Sequence, residues 1–129
     1  MKIIICDSND NIMDTMKSYT DLEQSKKLAE ILPLESADMV IWGKDLDSIA
    51  VTDAQKFMSG LKNRKMNYLP CWSLAALLDI LPNGIVMNKD SQNGRYHFSS
   101  KYVGTYVTAD NPIDACVAMI EKLHEQNLL

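Results

Sequence analysis

The sequence predicts an α+β fold, one domain spanning 1–129, with amphipathic helices packed on a small antiparallel β-meander. Three observations carry that expectation. Two segments, Leu69–Leu81 and Asn111–His124, each combine a capping residue with an apolar stripe at helical spacing. Between them lie short runs, 85–87, 96–99 and 102–108, that read as strands of a meander rather than as βα alternation. The length of 129 residues suits a single domain that buries its core without disulfide or metal staples.

Each element follows from local chemistry. Lys2–Cys6 carries three consecutive isoleucines and reads as a buried strand, and Asp7–Asn11 is turn chemistry. Ile12, Met13, Met16 and Tyr19 suggest a short amphipathic helix. Thr20 and Glu23 have the spacing of a capping box, opening a helix through Ser25, Leu28, Ile31 and Leu32 that Pro33 ends. Met39–Trp42 reads as a short strand before Gly43. Asp53–Leu61 reads as a helix burying Ala54, Phe57, Met58 and Leu61.

The most complete helix signal follows. Ser73 is the expected N-cap, and Trp72 before it pairs with Leu77 as a hydrophobic staple. Leu74, Leu77, Leu78 and Leu81 form the stripe, and Pro82 stops the helix. Pro82-Asn-Gly84 turns the chain into the meander, whose first connection contains Asn93-Gly94. In the last helix Asn111 caps, Pro112 takes the first position and Asp114 faces the positive helix end. Ile113, Cys116, Val117, Ile120 and Leu123 make its apolar stripe. Lys122 and His124 suit its negative end.

Charge is uneven along the chain. Residues 1–55 hold eleven acidic against five basic side chains, whereas 56–65 hold Lys56, Lys62, Arg64 and Lys65 with no acid. The net charge of −4 opposes general nucleic-acid binding at long range and leaves only a local basic patch for it. No apolar run approaches the ~18 residues of a membrane span, and MKIIIC is too short an apolar run for a secretory signal. A cytoplasmic protein is the expectation.

The chemical constellations the sequence offers fail one by one. Cys6, Cys71 and Cys116 lie far apart with no C-x-x-C, and His97 and His124 are the only histidines. Reduced cysteines packing as small apolar residues are therefore expected, with no metal site and no cofactor. A strand ending in Asp7 and Asp10 resembles the start of a phosphoacceptor receiver. Met39–Trp42, however, runs into Gly43 and Lys44 where that fold needs an aspartate. Asp7, Asn9 and Asn11 have calcium-loop spacing, but Ile12 and Ser18 stand where glycine and glutamate are required. There is no G-x-S-x-G elbow and no phosphate loop, and His97 with Ser99 reads as two polar residues on one exposed strand face. No catalytic residue is assigned.

What remains is a set of aromatic and basic residues: Trp42, Lys62, Arg64, Lys65, Tyr68 and Trp72. Exposed together, they would form an interaction patch. Lys62, Arg64 and Lys65 beside Tyr68 would alternatively grip phosphate with an aromatic behind it.

Three strings together resemble a family of small uncharacterised proteins from Bacteroides-type gut bacteria, their phages and mobile elements. They are YTDLEQSKKLAEILPLESADM (Tyr19 to Met39), PCWSLAALLDILP (Pro70 to Pro82) and DNPIDACVAMIEKLHEQNLL (Asp110 to Leu129). Residues 1–18 and 43–66 lie outside the likeness. The resemblance implies a phage or mobile-element accessory protein and carries over no catalytic residue. The expected function is thus a non-enzymatic protein-interaction module with an unknown protein partner. Nucleic-acid binding through 56–68 is the alternative, and a small-molecule or enzymatic site assembled from distant residues is a third reading. The meander's open edges also allow a homodimer by strand pairing.

Overall fold

The structure is a computed structural model that describes residues 4–6, 12–14, 17–43, 50–54, 67–101 and 104–129. The first described pairing joins β1 (Ile4–Cys6) antiparallel to β2 (Ile12–Asp14). The helix expected over Ile12–Tyr19 is therefore not formed. A segment this short does not sustain an isolated helix, and pairing with β1 satisfies its backbone instead. Tyr19 belongs to a different neighbourhood, bridging Ser73.

Helix α1 (Leu22–Ile31) starts one residue later than the sequence suggests. Asp21 is the N-cap: its Oδ1 accepts the Gln24 N–H at 2.8 Å, and Gln24 Oε1 accepts the Asp21 N–H at 3.1 Å. The capping box is thus Asp21/Gln24, not Thr20/Glu23. Thr20 is fully buried and committed elsewhere. Its N–H donates to the Trp72 carbonyl at 2.9 Å, and its hydroxyl accepts the Trp72 N–H at 3.1 Å and lies 2.8 Å from Ser25 Oγ. Tertiary bonding took the Thr20 hydroxyl away from the capping role.

A central strand β3 (Met39–Gly43) pairs antiparallel with β4 (Ala50–Asp53) on one side and β5 (Asn67–Cys71) on the other. Asp53 thus ends a strand, and most of the helix expected over 53–61 lies outside the described residues. Strand β5 occupies the first part of the Leu69–Leu81 segment. Its Pro70 is tolerated because β5 is an edge strand among the described residues, where a missing N–H costs no central ladder bond. Helix α1 packs beside β5, and Tyr19, Ile41 and Cys71 form a small buried cluster there.

Helix α2 (Leu74–Ile80) keeps its expected cap: Ser73 Oγ accepts the Ala76 N–H at 3.3 Å. Trp72 and Leu77, the expected staple pair, are both fully buried in the main core. The chain then forms the meander β6 (Ile85–Lys89), β7 (Tyr96–Ser100) and β8 (Tyr106–Ala109). The first two lie close to the expected runs, whereas the third starts at Tyr106 rather than Tyr102, with 102–103 outside the described residues. Helix α3 (Pro112–Glu125) carries Asn111 as N-cap and Pro112 in its first turn, and its whole expected stripe is buried. It lies against β7 and β8, with α2 at its side. The main core, including Leu28, Trp72, Leu77, Phe98 and Met119, fills the space between. The α+β class and the helices-on-meander arrangement hold. The second sheet, β4-β3-β5, is the part that only partial strand signals announced.

Cys71 and Cys116 are buried free thiols, as expected of small apolar packers. No helix among the described residues is long and apolar enough to cross a membrane.

Candidate interaction groove

The side chains of the meander sort into two faces by register. One row runs Met87, Phe98, Val107, with Lys89 and Tyr96 one step along on the same face. The other face carries Val86, Ser99 and Tyr106, then Asn88, His97 and Thr108. Helices α2 and α3 cover the first face. Coverage is incomplete: exposure along the row is 7% at Val107, 1% at Phe98 and 54% at Met87. The helical layer ends between β7 and β6. Four successive residues of β6, from Val86 to Lys89, are exposed, so this strand has lost the in–out alternation of a half-buried strand.

A groove opens where the layer ends. Leu74 and Leu78, one turn apart on α2, form one wall with Pro112. Met87 and Tyr96 form the other, and Phe98 is the floor. Its volume is about 290 Å³, and its lining is almost wholly apolar. The cation at its mouth is Lys89, whose ammonium lies 5.3 Å from the centroid of the Tyr96 ring. Asp90, its neighbour, is turned to other work. Asp90 Oδ1 accepts the N–H groups of Gln92 at 2.7 Å and Asn93 at 3.2 Å, and Oδ2 lies 3.6 Å from His97 Nε2. Those backbone bonds, chiefly, hold the Asp90 carboxyl below its ordinary pKa. Among the described residues no carboxylate pairs with Lys89.

The backbone of β6 adds a second property. The Asp90 N–H donates to the Arg95 carbonyl at 2.8 Å, and the Lys101 N–H to the Gly84 carbonyl at 3.0 Å. In an antiparallel ladder hydrogen-bonded pairs alternate, so residues 84, 86, 88 and 90 turn their peptide groups toward β7. Ile85, Met87 and Lys89 turn theirs outward. Among the described residues no strand pairs with that edge. It carries no proline or glycine, and the pairing with β7 runs without a bulge.

On the opposite face His97 stacks on Tyr106 with centroids 5.8 Å apart, and Nδ1 lies 2.6 Å from the phenol oxygen. The chain Asp90–His97–Tyr106 is continuous but half open, and no Cys/His/Asp/Glu cluster able to hold a metal occurs among the described residues.

The residues singled out from sequence scatter. Trp42 and Tyr68 do face each other directly across β3 and β5; Tyr68 is exposed and Trp42 half-buried. Trp72 is removed from any patch: it is wholly buried, with Nε1 donating to Ser36 Oγ at 3.0 Å. Its position just before the α2 cap points it into the core, in the same cluster as its staple partner Leu77. Lys62, Arg64 and Lys65 lie outside the described residues. Met87, Leu74 and Leu78 were not anticipated as a site. The available signal was the unalternated run Ile85-Val-Met87 in the first strand of the meander, which among the described residues lies at an edge of its sheet. Comparisons with protein-family models, curated proteins and solved structures found no match.

Proposed function

We propose that this chain is a non-enzymatic protein-interaction module, and that the groove between α2 and β6 receives an apolar anchor of a partner polypeptide. The observation that carries this is the exposure of Met87 on the core-facing row of the meander. A large apolar side chain is left uncovered at a concave, apolar place, the usual mark of a binding surface. The groove's size argues for an anchor side chain rather than a whole small molecule. At about 290 Å³ it lies at the lower limit of ligand pockets and is open along one side. The resemblance of the three helical blocks supports a setting in a phage or mobile element, as an accessory protein working in the cytoplasm.

The test is selection of displayed random peptides on the purified chain, followed by amide-shift mapping of the winners. Perturbations should centre on Leu74, Leu78, Met87 and Phe98, and Met87→Asp should remove binding while leaving the remaining spectrum in place. Shifts gathered at Tyr68 and Trp42 instead, or no selected peptide at all, would overturn the assignment.

A further inference from the structure

Resting on that reading, we infer that the partner binds by strand addition. An extended segment pairs with the outward peptide groups of Ile85, Met87 and Lys89, inserts an apolar side chain into the groove and sets a carboxylate against Lys89. Two features of β6 point to this mode. Met87 and Lys89 turn their peptide groups outward and also line the groove, because backbone direction and side-chain face both recur with the two-residue period of a strand. A chain laid along that edge therefore presents alternate side chains to Leu74, Leu78 and Phe98 while its backbone is bonded, the recognition mode in which main-chain bonds supply affinity and pockets supply specificity. The edge is also undefended among the described residues: Val86 to Lys89 are exposed, the strand lacks proline and bulge, and its one charge stands at its end.

Charge decides the occupant. Lys89 is held over Tyr96, and among the described residues no carboxylate pairs with it, so the matching segment carries Asp or Glu opposite Lys89. Its apolar anchor then lies opposite Met87, two positions away on the same face. A second copy fits less well. Symmetric antiparallel pairing centred on Met87 would set Lys89 against Ile85 of that copy and leave the ammonium without an anion.

The test uses short synthetic peptides carrying Leu and Glu two positions apart, in both orders, titrated against the full chain by fluorescence anisotropy. Met87→Pro deletes an outward N–H but none of the β6–β7 ladder donors, whereas Met87→Ala deletes only side chain. The proline variant should bind at least about tenfold more weakly than the alanine variant, as expected for losing main-chain bonds. Lys89→Glu should reverse the preference toward Lys-bearing peptides. A backbone N-methylated peptide probes the same bonds on the wild-type chain, should the proline variant not fold. Peptides that map to the groove yet bind both Met87 variants equally would overturn strand addition and leave the interaction reading standing. Peptides that never reach the groove would remove both. A concentration-dependent dimer abolished by Met87→Pro would give the edge to a second copy and refute the acidic partner.

Discussion

The Lys17 ammonium lies 2.8 Å from Asp114 Oδ1, across 97 positions of sequence. It also lies 2.8 Å from Asp21 Oδ2 and 3.1 Å from Gln24 Oε1. Asp21 caps α1 and Asp114 sits in the first turn of α3, so one cation ties together the acidic starts of two helices. Gln24 Nε2 completes the junction with a 2.7 Å bond to Asp114. Replacing Lys17 by Met leaves two carboxylates facing each other without a counter-charge. The expected loss is about 1–2 kcal/mol, between an exposed ion pair and a charge-assisted hydrogen bond. Urea denaturation of K17M, D114N and the double variant checks it, with the two losses expected to be non-additive.

The same junction sets a pH dependence. Partial burial works against ionisation of Asp21 and Asp114. It is outweighed at Asp21 by the Gln24 N–H and Lys17, and at Asp114 by Lys17, Gln24 and Asn111, so both pKa values fall below 3.8. Burial also opposes the Lys17 charge, but the two carboxylates raise its pKa above 10.5. A lowered carboxylate stabilises the fold fully above its unfolded value and ceases to do so as pH falls through the folded one. A raised ammonium stabilises fully below its unfolded value and ceases to do so above the folded one. Stability should therefore fall on acidification below about 4, and again on the far alkaline side. K17M should flatten both limbs in melts across pH.

Helix capping offers a local test. Asn111 Oδ1 accepts the Asp114 N–H at 2.9 Å. Asn111→Ala should cost about 1 kcal/mol and Asn111→Gly only a few tenths. Thermal melts of the two variants separate the loss of the cap from a general effect of the site.

Cys71 and Cys116 should be inert in the native state. Burial pushes Cys116 up to about 12 and also raises Cys71, although hydrogen bonds from Thr20 and Ser25 oppose the rise at Cys71. Brief iodoacetamide treatment at mildly alkaline pH should leave both unlabelled by peptide mass spectrometry. In concentrated urea both should label. Labelling of either in the native chain would contradict the packing described.

On the open face of the meander, the Asp90 carboxylate near His97 Nε2 favours the proton on that nitrogen. Nδ1 then accepts from the Tyr106 hydroxyl. Nitrogen chemical shifts should show the Nε2–H tautomer, and Tyr106→Phe should raise the share of the other with little effect on folding.

Legibility varied with how far each signal reached along the chain. Ser73, Asn111 and Pro112 bond or restrict backbone within three residues, so their roles were readable in advance and hold. The first helix shows the limit of such signals. Thr20 and Asp21 are both good caps, and the choice fell to Asp21 because Trp72, 52 positions away, uses the Thr20 hydroxyl. Ile12–Asp14 shows it again: its apolar spacing allowed a helix, and pairing with β1 made it a strand. The site was the least legible part. Nothing in the local pattern at Ile85–Met87 states whether a helix covers it.

By itself the sequence determined the class, the two best-capped helices, the meander and the apolar stripe of α3, because each follows from periodicity and from capping within a turn. Tertiary structure alone decided that the Thr20 hydroxyl was spent in the core, and it decided for Trp72 between a buried staple and an exposed patch. It alone decided that the helical layer would end before β6. Those outcomes depend on the lengths and placement of elements far apart in the chain. Coverage of Met87 is a property of where α2 and α3 come to rest, and no residue near Met87 encodes it.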